Sequence, residues 1–298
     1  KSSAASDVYK RQIVNQGFEF MLYSTPVQTK DFTFDLNINL SRNVSKVKEL
    51  ADGVDYLFFN GDANFPINVG TRVGHRLGEI YAKNLYKRDE NGNMIVNKQG
   101  RPTKVSGEDA FQYTLDHPIG NIEPDLLMSV SPSFTYKGFT LSALFDMKFG
   151  GDIVSVSEAM ATSTGLAART ANRGNAENGW KIVAPGVTAD GTVNSTAMNA
   201  QRYYTSMSGM AEEFVYDASF IKLKELSLGY SFPKSILKKT PLTSLNVAFV
   251  ARNLAYLMKH TPRTSPEGGY DTSMFSQAID YMSVPYTRTF GLSINLGF

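Results

Sequence analysis

The sequence predicts an all-β fold: about seven antiparallel strands forming the C-terminal portion of a transmembrane β-barrel with long extracellular loops. Three observations carry that expectation. Near the end of the chain Phe290, Leu292, Ile294, Leu296 and Phe298 alternate with Gly291, Ser293, Asn295 and Gly297. Successive strand side chains point to opposite faces, so one face is wholly apolar and the other small or polar, as in a strand between lipid and a wet interior. The connections between segments of this kind are alternately short and very long. The chain also lacks the run of about 18 apolar residues that a membrane-crossing helix needs, which leaves a closed barrel as the spanning structure that satisfies every backbone group.

The other strands show the same period of two. A less regular stretch, Gly17 to Tyr23, comes first. In the second, Phe32, Phe34, Leu36, Ile38 and Leu40 alternate with Thr33, Asp35, Asn37 and Asn39. Leu126, Met128, Val130 and Phe134 alternate with serines and Thr135, although Pro132 removes one ladder donor. Phe139, Leu141, Ala143, Phe145, Met147 and Phe149 alternate with Thr140, Ser142, Asp146 and Lys148. Leu226, Leu228, Tyr230 and Phe232 define a fifth strand, and Leu245, Val247, Phe249 and Ala251 a sixth. The stretch Phe214 to Phe232 is too long for one crossing and should project beyond the bilayer. In it Lys222 and Lys224 share the parity of the apolar face, so they belong above the apolar band unless a bulge shifts the register.

Pro26 to Lys30, Lys137-Gly138 and Pro233 to Thr243 read as short turns, whereas 44 to 124, 151 to 213 and 257 to 284 are long and polar. Outer-membrane barrels have this asymmetry, with short periplasmic turns and long extracellular loops. The count places the C-terminus and all short turns on the periplasmic side, provided Gly78 to Tyr86 is loop and not a crossing. Phe32, Tyr136, Phe139, Phe232 and Phe298 flank the turns as an interfacial girdle. A soluble sandwich also has period-two strands, but loops this long are uncommon in one.

Composition agrees. The 298 residues are 42% apolar and 19% charged with net charge +2, which excludes a disordered chain and gives no general pull toward nucleic acid. Aromatic residues reach 12%, which favours strands, and the absence of cysteine excludes disulfides and Cys-based metal sites. The chain starts at Lys1 with no apolar leader, and residues 1 to 12 share no pattern with the rest of the chain. They are expected to be a non-native junction, with 13 to 298 forming the barrel portion and a start lying further upstream.

Little points to catalysis, and the chain reads as a non-enzyme without cofactor or metal. His75, His117 and His260 lie in the long loops without zinc-motif spacing. Asp89 to Asn93 has a calcium-loop flavour but a misplaced glycine, and reads as a turn. Gly70 to Gly78 lacks the strand and helix of a dinucleotide site. Glu123 with Asp125, and Glu212 with Glu213, are possible carboxylate pairs that read better as solvated charge. Trp180, Tyr203 and Tyr204 could offer a loop surface for stacking a sugar or peptide, or could pack the loop itself. Asp35, Asn37, Asn39, Asp146 and Lys148 are expected to face the lumen.

Six spaced stretches resemble the C-terminal part of the SusC/RagA-type TonB-dependent outer-membrane transporters of Bacteroidetes. They are Ile13 to Glu19, Gly120 to Asp125, the pair Tyr136 to Phe139 and Phe149 to Ile153, Tyr216 to Pro233, Ala251 to Leu254, and Pro285 with Arg288-Thr289-Phe290. The resemblance implies a barrel of about 22 strands with a plugged lumen, of which this chain would supply the last seven. It also implies a TonB complex acting through an N-terminal region, a SusD-like surface lipoprotein as partner, and import of oligosaccharides or peptides. Phe290, Leu292, Ile294, Leu296 and Phe298 would be the signal read by the barrel-assembly machinery, with outer-membrane lipid against that face. A passive porin or a surface glycan-binding or adhesion protein are the alternatives.

Overall fold

The computed structural model describes residues 12–60, 66–269, 276–284 and 286–298. Residues 1 to 11 of the expected junction, and Pro285 of the last motif, lie outside the described residues. Seven strands form one sheet: β1 (Gln12–Gln28), β2 (Phe32–Glu49), β3 (Leu126–Tyr136), β4 (Phe139–Phe149), β5 (Phe220–Ser231), β6 (Ser244–Lys259) and β7 (Thr289–Gly297). Each pairs antiparallel with the next in chain order, so the sheet is an unbroken meander. All seven expected strands are present. β1 begins at Gln12, one residue inside the segment expected to be non-native.

The two faces of the sheet differ as the alternation requires. Phe134, Phe139, Leu141, Leu228, Phe249, Phe290, Leu292, Ile294, Leu296 and Phe298 are exposed on the apolar face. A contiguous exposed apolar surface of this kind is abnormal for a water-soluble domain and ordinary for a lipid-facing wall. Rings pack across it: Phe34 stacks on Phe134 at 4.7 Å, and Phe139 meets Tyr230 at 4.5 Å beside the short turns. The opposite face carries Asp35, Asn37, Asn39, Ser129, Ser131, Asp146 and Lys148, in register across β2, β3 and β4.

The short connections sit at one end of the sheet. Lys137 (φ 47°) and Gly138 (φ 90°) close β3 and β4 in the left-handed region at both central positions, the tight hairpin form whose twist matches the strands. The first turn is narrower than expected. β1 runs on to Gln28, and Pro26 lies at a bulge between Ser24 and Val27, where its missing N–H interrupts no ladder bond. Pro132 pairs with Leu36 on one side, while the ladder toward β4 is interrupted around it.

The projecting stretch before Phe232 is not one long strand. It breaks at Ala218-Ser219, and Val215–Asp217 leaves the wall for a separate sheet. In β5 the register shifts opposite Leu144 and Phe145, so that Lys224 is the extra residue of a bulge. The shift moves Lys222 and Lys224 to the polar face and gives Ile221 and Leu223 to the apolar one. The bulge, not height above the bilayer, resolves their parity.

Most of the buried core lies in the long connections, with Val47, Phe220 and Ala251 the buried apolar side chains of the wall among the described residues. Ile67, Val69, Ile80 and Leu85 of the first pack with Val154, Val156 and Ala211 of the second and Ile279 of the third. The first connection holds a sheet of four short strands and helix α1 (Glu108–Asp116), and Gly78 to Tyr86 lies within it, outside the wall. The second holds α2 (Val156–Ser163) and α3 (Ala200–Met207). Its strands Asp152–Ser155 and Val215–Asp217 form a sheet with Ile279–Asp280 of the third. The three loops are thus one folded cap at one end of the wall.

Candidate functional site

Three of the family-like stretches meet where the wall joins this cap. Gly150 and Gly151, at φ 73° and 75°, turn the chain out of β4. The positive φ at Gly150 is strained for any L side chain, and a Cβ there would lie 2.3 Å from Asp125 Oδ2 and displace that carboxylate. The Gly150 N–H donates to Ser219 Oγ at 2.8 Å, the Ala218 N–H to the Gly151 carbonyl at 2.9 Å, and the Asp125 N–H to the Phe149 carbonyl at 2.9 Å. The Asn121 N–H donates to Asp152 Oδ2 at 2.8 Å, and burial pushes the Asp152 carboxyl above its ordinary range. Stretches 120–125, 149–153 and 216–220 are therefore one hydrogen-bonded joint.

Beside this joint, between the polar face and the cap, lies a cavity of about 720 Å³. The wall contributes Glu19, Ser41, Leu127 and Lys148, and the cap contributes Glu123, Asp152, Pro266 and Glu267. Its lining mixes the acidic Glu19, Glu123, Asp152 and Glu267, the basic Arg42 and Lys148, and apolar patches. Among the described residues that line it, none aligns a nucleophile with a base and an orienting group.

One segment bordering the cavity is strongly tied down. Lys222, only 3% exposed, places Nζ 2.6 Å from Glu267 Oε2. The ammonium also lies 5.1 Å from the Tyr256 ring centre and 4.7 Å from that of Tyr286, favourable distances for cation–π attraction. Lys222 stands out in the sequence for its wrong parity, which is the available signal. Glu267, Tyr256 and Tyr286 give none.

The other candidates separate. Tyr203 and Tyr204 are buried with Ala159, Met198, Met207 and Phe214, and burial raises the Tyr203 hydroxyl to about 12. They pack the loop and present no stacking face, because α3 turns its apolar side into the cap. Trp180 is half-exposed at φ 57°. On the polar face Asp35 accepts from Thr25 at 2.7 Å, the Asn39 amide donates to Ser129 at 3.3 Å, and Asp146 pairs with Lys224 at 2.6 Å. Asn37 borders a shallow hollow with Asp35 and Ser133.

The paired acids are not free solvated charge. Arg76 binds Asp125 at 3.1 Å, Arg88 binds Glu212 at 2.8 Å, and Arg169 binds Glu213 at 2.9 Å. Glu123 accepts from the Ser45 N–H at 3.3 Å. These are struts within the cap. Asp89 accepts from the N–H groups of Asn91 and Asn93 at 2.9 and 2.8 Å and closes a turn. His75 lies 3.1 Å from Glu79, and His260 lies against Asp217.

A meander wall with one lipid-facing side, capped at one end by long folded loops, defines part of a large transmembrane β-barrel. Comparison with known proteins agrees. The chain is 27% identical over 305 residues to TonB-dependent receptor P3 of Formosa agariphila, covering 96% of this chain and 29% of that protein. It is 29% identical over 233 residues to TonB-dependent receptor SusC of Bacteroides thetaiotaomicron, covering 73% and 20%. The structure of the RagAB peptide transporter superposes with a TM-score of 0.64 at 18% identity, over 97% of this chain and 30% of that one, a likeness of fold. No family model matches the chain. Sequence and fold thus bear out the resemblance to SusC/RagA-type TonB-dependent transporters, and the chain spans less than a third of the length of the relatives it matches.

Proposed function

We propose that this chain is the C-terminal third of the barrel of an outer-membrane TonB-dependent importer of oligosaccharides or peptides that works with a SusD-like lipoprotein. The observation that carries this reading is the seven-stranded meander whose long connections fold into one cap at the end opposite the short turns. In that reading the cap is extracellular, the short turns and Phe298 are periplasmic, and Asp35, Asn37, Asn39, Asp146 and Lys148 line the lumen. Phe290, Leu292, Ile294, Leu296 and Phe298 face lipid and are read by the assembly machinery. Of Trp180, Tyr203 and Tyr204, Trp180 is the one exposed to a solute or partner. Of the expected junction, residues 1 to 12, Gln12 belongs to β1, and residues 1 to 11 are proposed as non-native sequence outside the barrel portion.

The test uses the full-length receptor in its own cells. An epitope inserted in the Asp89 to Asn93 turn should bind antibody on intact cells, and one inserted at Lys137-Gly138 should bind only after permeabilisation. Uptake of the ligand should stop when TonB is deleted. Uptake that persists without TonB would point to a passive porin, and surface binding with no uptake to an adhesin; either overturns the importer.

A further inference from the structure

We propose that Thr261 to Gly268 is a constriction strap folded inward over the lumen cavity, and that Lys222 is the positioning residue that holds it there. The reading of the polar face as a lumen comes from the proposed function, on which this inference rests. The strap comes directly after β6 and would ordinarily rise with the rest of the cap. Instead Pro266 and Glu267 form part of the cavity wall, and Pro266 and Gly268 are buried.

The ties that hold it come from the wall beneath. Lys222 is brought to the polar face by the bulge at Lys224 and binds Glu267 at 2.6 Å while buried. Tyr256, its neighbour across the ladder, donates its hydroxyl to the Glu267 carboxylate and lies 2.8 Å from Ser265 Oγ. Lys259 donates to the Thr264 carbonyl at 3.3 Å, and Tyr286 reaches the Glu267 carbonyl at 3.5 Å. At the far side Arg263 donates to the Leu166 carbonyl at 2.8 Å, which ties the strap to the segment after α2.

An ion pair on a buried ammonium stabilises little by itself, but removal of Lys222 leaves the part-buried Glu267 carboxylate with no counter-charge and only the Tyr256 hydroxyl to hold it. Lys222 therefore acts as a latch. While it is charged and in place, Glu267 belongs down in the cavity; without it, Glu267 is better solvated and the strap lifts. A solute passing the cavity meets this strap, so the latch sets the opening at this end of the lumen.

Accessibility of a thiol beneath the strap tests this. These 298 residues contain no cysteine, so Ser41→Cys in a full-length receptor with any cysteine elsewhere replaced by serine marks the cavity wall opposite the strap. In the otherwise unchanged protein a small methanethiosulfonate should react from outside much faster than a bulky polyethylene-glycol maleimide. Adding Lys222→Met should raise the bulky reagent's rate by about tenfold or more, and Lys222→Arg should keep it near the starting rate. Should Lys222→Met not assemble, Glu267→Gln is expected to give the same acceleration. Unchanged bulky-reagent rates in assembled Lys222→Met or Glu267→Gln receptor would overturn the latch. Failure of the Ser41→Cys receptor itself to show the heat-modifiable migration of a barrel would count against the proposed function instead.

Discussion

At the scale of single residues the joint between wall and cap carries its own pH dependence. Asp152 is buried against the joint and accepts one backbone N–H from Asn121, and burial raises its carboxyl above the ordinary range. A carboxyl with a raised folded pKa binds its proton more readily folded than unfolded. Its contribution to stability therefore increases as pH falls through the folded pKa, and is fully gained below the unfolded value near 4. Hydrogen exchange of segment 120–125 in the detergent-purified receptor should accordingly slow as pH is lowered from neutral toward the unfolded value of about 4, after correction for intrinsic exchange. Asp152→Asn keeps an oxygen for the Asn121 N–H and removes the titration, so the slope should flatten. Parallel slopes for Asp152→Asn and the parent would show that burial of this carboxyl does not tune the joint.

Elements depend on register, and β5 shows how much rests on one residue. Because strand side chains alternate, removing the extra residue of a bulge leaves the faces beyond it unchanged, whereas removing one residue more exchanges them all. Deletion of Lys224 alone keeps Leu223 opposite Phe145 and Lys222 opposite Asp146, whereas deletion of Leu223 and Lys224 together would set Lys222 opposite Phe145, toward lipid, and Ile221 opposite Asp146, toward the lumen. The double deletion should abolish the heat-modifiable form in outer-membrane fractions; the single deletion should leave most of it. Equal yields would mean that the register of β5 is set elsewhere. The same bulge shows what was legible in the sequence. Strand existence and facing were, because a two-sided wall between lipid and water writes its period directly into Phe139 to Phe149 and Leu245 to Ala251. The cap was not. Its core joins Ile80, Val154 and Ile279, residues far apart in the chain, and its acids pair with distant arginines such as Arg88 with Glu212. Tyr203 and Tyr204 were ambiguous because helical burial and an exposed stacking face demand the same residue types. The cavity drew on both levels: Lys148 came from alternation, but Glu267 depends on how the strap folds back.

At the scale of the whole molecule the sheet has order β1 to β7 and stops, with the outer edges of β1 and β7 unpaired among the described residues. β1 alone is 17 residues long and β7 is 9, so both edges present rows of N–H and C=O groups at membrane depth. Each such group left without a partner in hydrocarbon costs several kcal/mol, and a few of them exceed the roughly 5–15 kcal/mol by which a folded protein is stable. Bending the sheet to join its own edges would demand a seven-stranded barrel, too narrow for the cap and strap that project over its polar face. The cap has its own buried core, so it does not relieve the edges. The 298-residue chain expressed alone and refolded in detergent should therefore migrate identically boiled and unboiled and form no ion-conducting pore, whereas the full-length receptor should show the heat-dependent shift of a closed barrel. Aggregation through β1 and β7, or pairing between copies, is the expected fate of the isolated chain, since an unpaired edge recruits any available strand. A compact heat-modifiable monomer from this chain alone would show that its edges find partners within it, and would remove the need for further strands to close the wall.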